Sequence, residues 1–252
     1  MTDDPTAAPT LREARRVAGW GLAFWGAAQL AGAVFSQNAT ALVAVQAALA
    51  EWGAGRVGIT WSDPLAPMPT AKALARRAGT GLAIGGGMAA AACGVALLTH
   101  LASVAAARPS AGPLAVGLVL AVLSAVRDEL FLRGIVLRVT RGLWPTWATL
   151  AAAGGVAAAA RFGAEGALGL VLVVEALRGV AMAALWLGDR GAWMAVGASA
   201  GWAWGLGSIA GGGLVDVRFA AAADAGVPAL AVVAASAAAA CFWASRRHPR
   251  QG

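Results

Sequence analysis

The sequence predicts an all-α membrane protein, with about eight transmembrane helices in one bundle. Three observations carry that prediction. The 252 residues are 60% hydrophobic and only 12% charged, whereas a soluble domain carries about a quarter charged residues. Apolar runs of about 18 residues or more recur along the chain, the length a helix needs to cross a bilayer core. The chain holds 34 glycines and no tyrosine, and alanine is abundant; small residues let helix backbones approach closely in lipid, where packing rather than water exclusion holds helices together.

The elements follow from the apolar runs. Residues 1–17 form a polar N-terminal tail that ends in Arg12, Arg15 and Arg16. Residues 18–36 form a first span, read as a retained signal anchor because more spans follow. Residues 39–54 are apolar but short, and form a second span or a re-entrant segment. The prolines of the next stretch break helix. From Thr70, which suits a helix cap, a short basic helix with Lys72, Arg76 and Arg77 runs to Gly79 as an interfacial element. Further spans are expected at 80–105, 113–137, 143–161, 166–187, 191–212 and 226–244. The domain plan is thus 1–17 as tail, 18–79 as N-terminal spans and basic loop, 80–215 as membrane core, and 216–252 as last span and basic C-terminal tail.

The net charge is +7, and Lys72 is the only lysine. The basic residues sit at the ends of apolar segments, so membrane topology and anionic lipid account for them, and no nucleic-acid partner is expected. With the N-terminus in the cytoplasm, Arg12, Arg15, Arg16, the 56–77 loop, Arg138, Arg141, Arg190, Arg246, Arg247 and Arg250 all fall inside. The outer breaks keep only Arg108, Arg161 and Arg218. An even number of spans then puts both termini in the cytoplasm. Cys93 and Cys241 lie in separate apolar segments without a CxxC spacing, so neither a disulfide framework nor a metal site is implied. No cofactor is expected.

One passage departs from the apolar pattern. Arg127 to Gly134, RDELFLRG, places four ionisable side chains in a long apolar run. As a helix it puts Glu129 and Arg133 on one face, at i and i+4, in the favourable acid-first order. Asp128 lies about 100° around from Glu129, so at least one acid looks into the bundle. Residues 111–126 supply only about 24 Å of helix against a core of about 30 Å, which places the cluster inside the span. A charge there is expensive unless paired, and it is a functional candidate by default.

The stretch DELFLRG resembles the glutamate–glutamate–x–x–x–arginine–glycine motif of the CAAX-processing and bacteriocin-processing family of intramembrane proteases (CPBP, or Abi). Asp128 stands where the first glutamate is usual, and Glu129, Arg133 and Gly134 match. The resemblance extends over roughly residues 80–215, and a glycine-led helix, turn and tryptophan downstream look like the family's last motif region. It implies a membrane-embedded peptidase in which a glutamate and a histidine activate water while a second histidine and an asparagine steady the oxyanion. The chain departs from that pattern. Phe162 matches a phenylalanine-x-x-x-histidine motif whose histidine position holds Gly166. Ser199 and Ala203 occupy the last motif's histidine and asparagine positions. Only His100 and His248 exist in the chain, in other places.

Three readings follow. In the first, the chain is a divergent intramembrane endopeptidase acting on a membrane-anchored or C-terminally tagged protein or peptide. Glu129 or Asp128 is its base and Arg133 orients it. Glu165 or Glu175 serves as a second carboxylate, Ser199 as an oxyanion donor, and Phe162 lines the site. Glu175 has a plainer role open to it as the partner of Arg178, and Glu165 as a neighbour of Arg161. A narrower resemblance is to the myxosortases, CPBP-like proteins of bacterial C-terminal sorting; the alanine-rich, arginine-over-lysine composition looks like that of a high-GC bacterium, with the chain in its inner membrane. In the second reading the cluster is a non-catalytic scaffold. In the third the chain is a transporter or lipid-handling protein, with Gly85–Gly87 and Gly211–Gly213 as helix breaks.

Overall fold

The computed structural model describes residues 10–62, 69–107, 110–140, 142–161, 169–219 and 226–247, and these are almost entirely helical. In chain order they form α1 (Leu11–Val34), α2 (Ala39–Val57), α3 (Ala71–Leu98), β1 (Ala102–Ala105), α4 (Ala111–Asp128), α5 (Ile135–Thr140), α6 (Thr146–Arg161), α7 (Leu170–Asp189), α8 (Trp193–Trp204), β2 (Asp216–Phe219) and α9 (Gly226–Arg247). A π-helical turn, Glu129–Gly134, joins α4 to α5, and a second, Gly205–Ile209, extends α8.

By length and composition, α1, α3, α7 and α9 are long and apolar enough to cross a membrane. Their outward faces are apolar. Leu22, Leu30 and Val34 on α1, Leu98 on α3 and Phe242 on α9 are all well exposed. Soluble monomers rarely present contiguous apolar surface of that extent, and the fold is that of an all-helical membrane protein. The expected count of eight spans is not what these helices display: four meet the criterion. At 16 and 12 residues, α6 and α8 reach about 24 and 18 Å, short of a hydrocarbon core of about 30 Å.

Other boundaries also move. Thr70 caps α3 as expected, its side chain accepting from Ala73 N at 3.3 Å, but the helix does not stop at Gly79. It continues to Leu98, because one glycine weakens a helix by only about 1 kcal/mol and no proline follows. The expected span 80–105 ends early, with His100 in a left-handed conformation at φ 58°. Residues 102–105 then pair with 216–219 in an antiparallel ladder, Ala102 opposite Phe219 and Ala105 opposite Asp216. This two-stranded hairpin-like pair qualifies the all-α expectation.

The chain ends of the helices sort into two poles. At one, Arg77 Nε lies 3.4 Å from Asp189 Oδ1, Ala192 N donates to Trp61 O at 2.9 Å, and the Trp61 and Trp193 rings stack at 4.8 Å. These contacts gather the ends of α2 and α7 with the starts of α3 and α8. Arg16, Arg56, Arg138 and Arg190 lie around the same pole. The β-ladder marks the other.

Between the poles, α3 and α8 pack backbone to backbone. A Cβ at Gly81 would sit 2.1 Å from Met194 O, and one at Gly85 1.9 Å from Ala198 O. From the other side, Gly197 and Gly201 meet Ala78 O and Leu82 O at 2.2 Å each. Two small-xxx-small pairs therefore face one another, the arrangement that lets membrane helices approach most closely.

Candidate functional site

The seam between α3 and α8 sets the site. Gly197 and Gly201 point at α3, and Ser199, two residues from each, faces the other way. On that side α4 and the first π turn pack. The two helices run antiparallel: Trp204 Nε1 donates to Leu114 O at 2.9 Å, Ser208 closes on Gly117, and Ser199 meets Glu129. Ser199 lies six residues into α8, about 9 Å from its start at 1.5 Å per residue.

RDELFLRG is the point where α4 widens into a π turn, with Glu129 as its first residue and Gly134 as its last. Such single-turn insertions recur at functional sites. Space at Gly134 is tight, since a Cβ would press on Ile59 at 3.0 Å and Trp186 at 3.2 Å. Glu129 and Arg133 are completely buried. Arg133 Nη1 donates to Glu129 Oε1 at 2.7 Å, and the Ser199 hydroxyl donates to the same oxygen. Glu129 Oε2 and the Nε and Nη2 of Arg133 are buried without a hydrogen-bond partner among the described residues. The carboxylate thus has one saturated oxygen and one open one.

Asp128 is not part of that contact. Arg127 holds it, with Nε and Nη2 both 2.7 Å from Oδ1. Arg127 Nη1 donates onward to Gln46 Oε1 at 2.7 Å, and Gln46 Nε2 donates to Ala28 O at 2.9 Å. This chain of polar contacts ties α4 to α2 and α1. Glu175 is engaged by Arg178, at 2.6 Å from Nη2 and 3.0 Å from Nε, with Arg161 Nε at 3.8 Å. The plainer role for Glu175 is therefore the one it occupies. Phe162, Glu165 and Gly166 lie outside the described residues, as does His248. His100 stands at the far end of α3, away from the cluster.

Several features of the site were less visible in the sequence. Arg178 is buried; its spacing of three from Glu175 named it as that acid's partner, but not as a third guanidinium of the cluster. The site is then three carboxylates, Asp128, Glu129 and Glu175, against three guanidiniums, Arg127, Arg133 and Arg178. Formal charge balances, which is what makes so many ionised groups tolerable in an apolar core. Gln46, alone in the apolar stretch 41–50 of α2, was a second signal, and the two GxxxG spacings at 81–85 and 197–201 were a third.

Among the described residues, no group of three or more His, Cys, Asp or Glu side chains is placed to hold a metal ion. A cavity of about 330 Å³ opens at the arginine-rich pole and touches Gly134, and a smaller one of about 140 Å³ lies beside it. Glu129 lines neither. Compared with known proteins, the chain matches no family model, no curated protein and no solved structure.

Proposed function

We propose that the chain is a divergent CPBP-type intramembrane endopeptidase acting on membrane-anchored or C-terminally tagged proteins. The observation that supports this reading is the contact between Glu129 and Ser199. It joins the RDELFLRG motif to the position that the resemblance aligns with a motif histidine. In this reading Glu129 Oε2, the open carboxylate oxygen, takes a proton from water as that water attacks a peptide carbonyl carbon. The Nε and Nη2 of Arg133 receive the oxyanion, which such preorganised donors stabilise as charge develops. The proton passes from Glu129 to the leaving amine as the C–N bond breaks, giving a carboxylic acid and an amine, which then exchange a proton to become carboxylate and ammonium. Asp128, clamped by Arg127, and Glu175, clamped by Arg178, position rather than react.

The same reading takes the helical runs as eight passes, with α4, the π turn and α5 as one and α8 with its π turn as another. Both termini and the arginine-rich pole then lie on the cytoplasmic side of an inner membrane. Purified protein incubated in ¹⁸O-water with membranes from cells lacking it provides the test. New protein C-termini carrying ¹⁸O are expected with the wild type and not with Glu129→Gln. Their absence with the wild type counts against hydrolysis.

A specific observation favours a second reading, a non-catalytic scaffold of the same architecture. Glu129 and Arg133 have no exposure at all, and an enzyme must open to admit its substrate. On that reading the cluster fixes helix register, a recognised use of buried ion pairs.

A further inference from the structure

The cavity of about 330 Å³ at the arginine-rich pole is independent of the Glu129 cluster and has its own chemistry. Two charged side chains line it, Arg138 and Arg190, and among the described residues no carboxylate does. Thr60, Thr140 and Thr149 add hydroxyl groups, and Trp144 and Trp186 supply flat apolar walls. Arg138 also walls the smaller cavity beside Arg16 and Arg56, so four arginines stand around the two spaces. Two acids stand close to them: Asp189, next to Arg190 in sequence and paired with Arg77 at 3.4 Å, and Glu13, in the smaller cavity. Glu13 is already held by the backbone and hydroxyl of Thr10, at 2.7 and 3.1 Å.

Two details point to a ligand. Arg138 Nε is buried and has no hydrogen-bond partner among the described residues, and a buried guanidinium nitrogen left open is expensive. Arg190 closes α7 at φ 53°, the left-handed position where glycine is the usual residue. Its side chain is exposed and lines the cavity, and an arginine kept at a backbone position that costs strain motivates a role for that side chain.

We propose that this cavity binds an anionic phosphate group, with Arg138 and Arg190 as its two cationic ligands. Guanidinium pairs suit phosphate oxygens because their forked donors match them. The volume equals that of about ten waters, room for a phosphate bearing a glyceryl arm. Trp144, which lines the cavity, is exposed, as tryptophans are at headgroup depth. The carrier is either an anionic phospholipid or a free phosphate ester, and the experiment separates them.

Detergent-solubilised protein is titrated with phosphatidylglycerol, phosphatidylcholine, glycerol 1-phosphate and inorganic phosphate. Thermal unfolding and native mass spectrometry follow binding. Saturable stabilisation by phosphatidylglycerol is expected, with the dissociation constant raised at least tenfold in Arg138→Gln and in Arg190→Gly. Arg246→Gln, an exposed arginine at the end of α9, should leave it within twofold. If glycerol 1-phosphate or inorganic phosphate gives the same arginine-dependent response, the carrier is a soluble phosphate; if only phosphatidylglycerol does, it is lipid. Arg190→Gly relieves backbone strain, so its unliganded stability should match or exceed the wild type, and it remains readable where Arg138→Gln fails to fold. No saturable response to any probe overturns the proposal. So does equal binding of phosphatidylcholine, or an effect of Arg246→Gln as large as that of Arg190→Gly.

Discussion

Ser199 donates its hydroxyl hydrogen to Oε1 of Glu129 across 70 residues of chain, and Arg133 Nη1 donates to the same oxygen. One carboxylate oxygen thus fastens α8 to the π turn that ends α4. Ser199→Ala removes one of the two donors from a buried anion, which should lower stability by about 1–3 kcal/mol. Thermal unfolding in detergent reads this as a lower midpoint. An unchanged midpoint would mean that the contact carries no stability.

The Glu129–Arg133 pair makes a sharper claim. Losing one partner leaves an uncompensated buried charge, at about 3–5 kcal/mol, whereas replacing both is often neutral. Arg133→Met should therefore be severely destabilised, and adding Glu129→Gln to it should restore part of the loss. Denaturant titration of both variants checks the sign of that coupling. A double variant less stable than the single one would contradict the pairing.

Glycine positions on α3 separate seam from surface. Gly81→Leu drives a side chain into Met194 O, since even a Cβ would sit at 2.1 Å, and the helices must part. The loss should exceed about 3 kcal/mol, beyond ordinary surface substitutions, with little folded protein recovered. Gly86→Ala meets nothing within 4 Å and should stabilise α3 slightly, by up to about 1 kcal/mol. Comparing the two by size-exclusion profile and melting point tests the seam directly.

How much of this was legible in the sequence varies by element. RDELFLRG announced its own burial, because four charges in an apolar run need partners, and the i, i+4 spacing named the Glu129–Arg133 pair. Thr70 was readable as a cap because the chemistry is local. The meeting of Ser199 with Glu129 came from the resemblance, not from spacing. Asp128 was expected beside Glu129 in the chemistry and instead turns to Arg127, whose own second partner, Gln46, is 81 residues away. The strands at 102–105 and 216–219 were hidden because Ala-Ser-Val-Ala carries no strand signature until its partner is present. Four helices meet the criterion for crossing where eight apolar runs were counted, because some runs are divided by π turns and others form helices shorter than a bilayer core.

Orientation has its own test. The proposed topology, an even number of passes with the arginine-rich pole in the cytoplasm, would place the C-terminus inside. A green fluorescent protein fused after Gly252 should be fluorescent, and alkaline phosphatase inserted near Ala107 should be active. The reverse pattern would invert the molecule.

The central claim is that the Glu129 carboxylate performs chemistry and does not merely brace the bundle. It is tested most directly by replacing the native copy with Glu129→Gln in its own cell and mapping the mature termini of membrane-anchored proteins by mass spectrometry. The account predicts that anchored proteins accumulate uncleaved as they do in a deletion strain, scored per folded variant protein recovered from the membrane, because Glu129→Gln leaves Arg133 unpaired and lowers that level. Processing that continues in Glu129→Gln but stops in the deletion strain would contradict it and leave the cluster a scaffold.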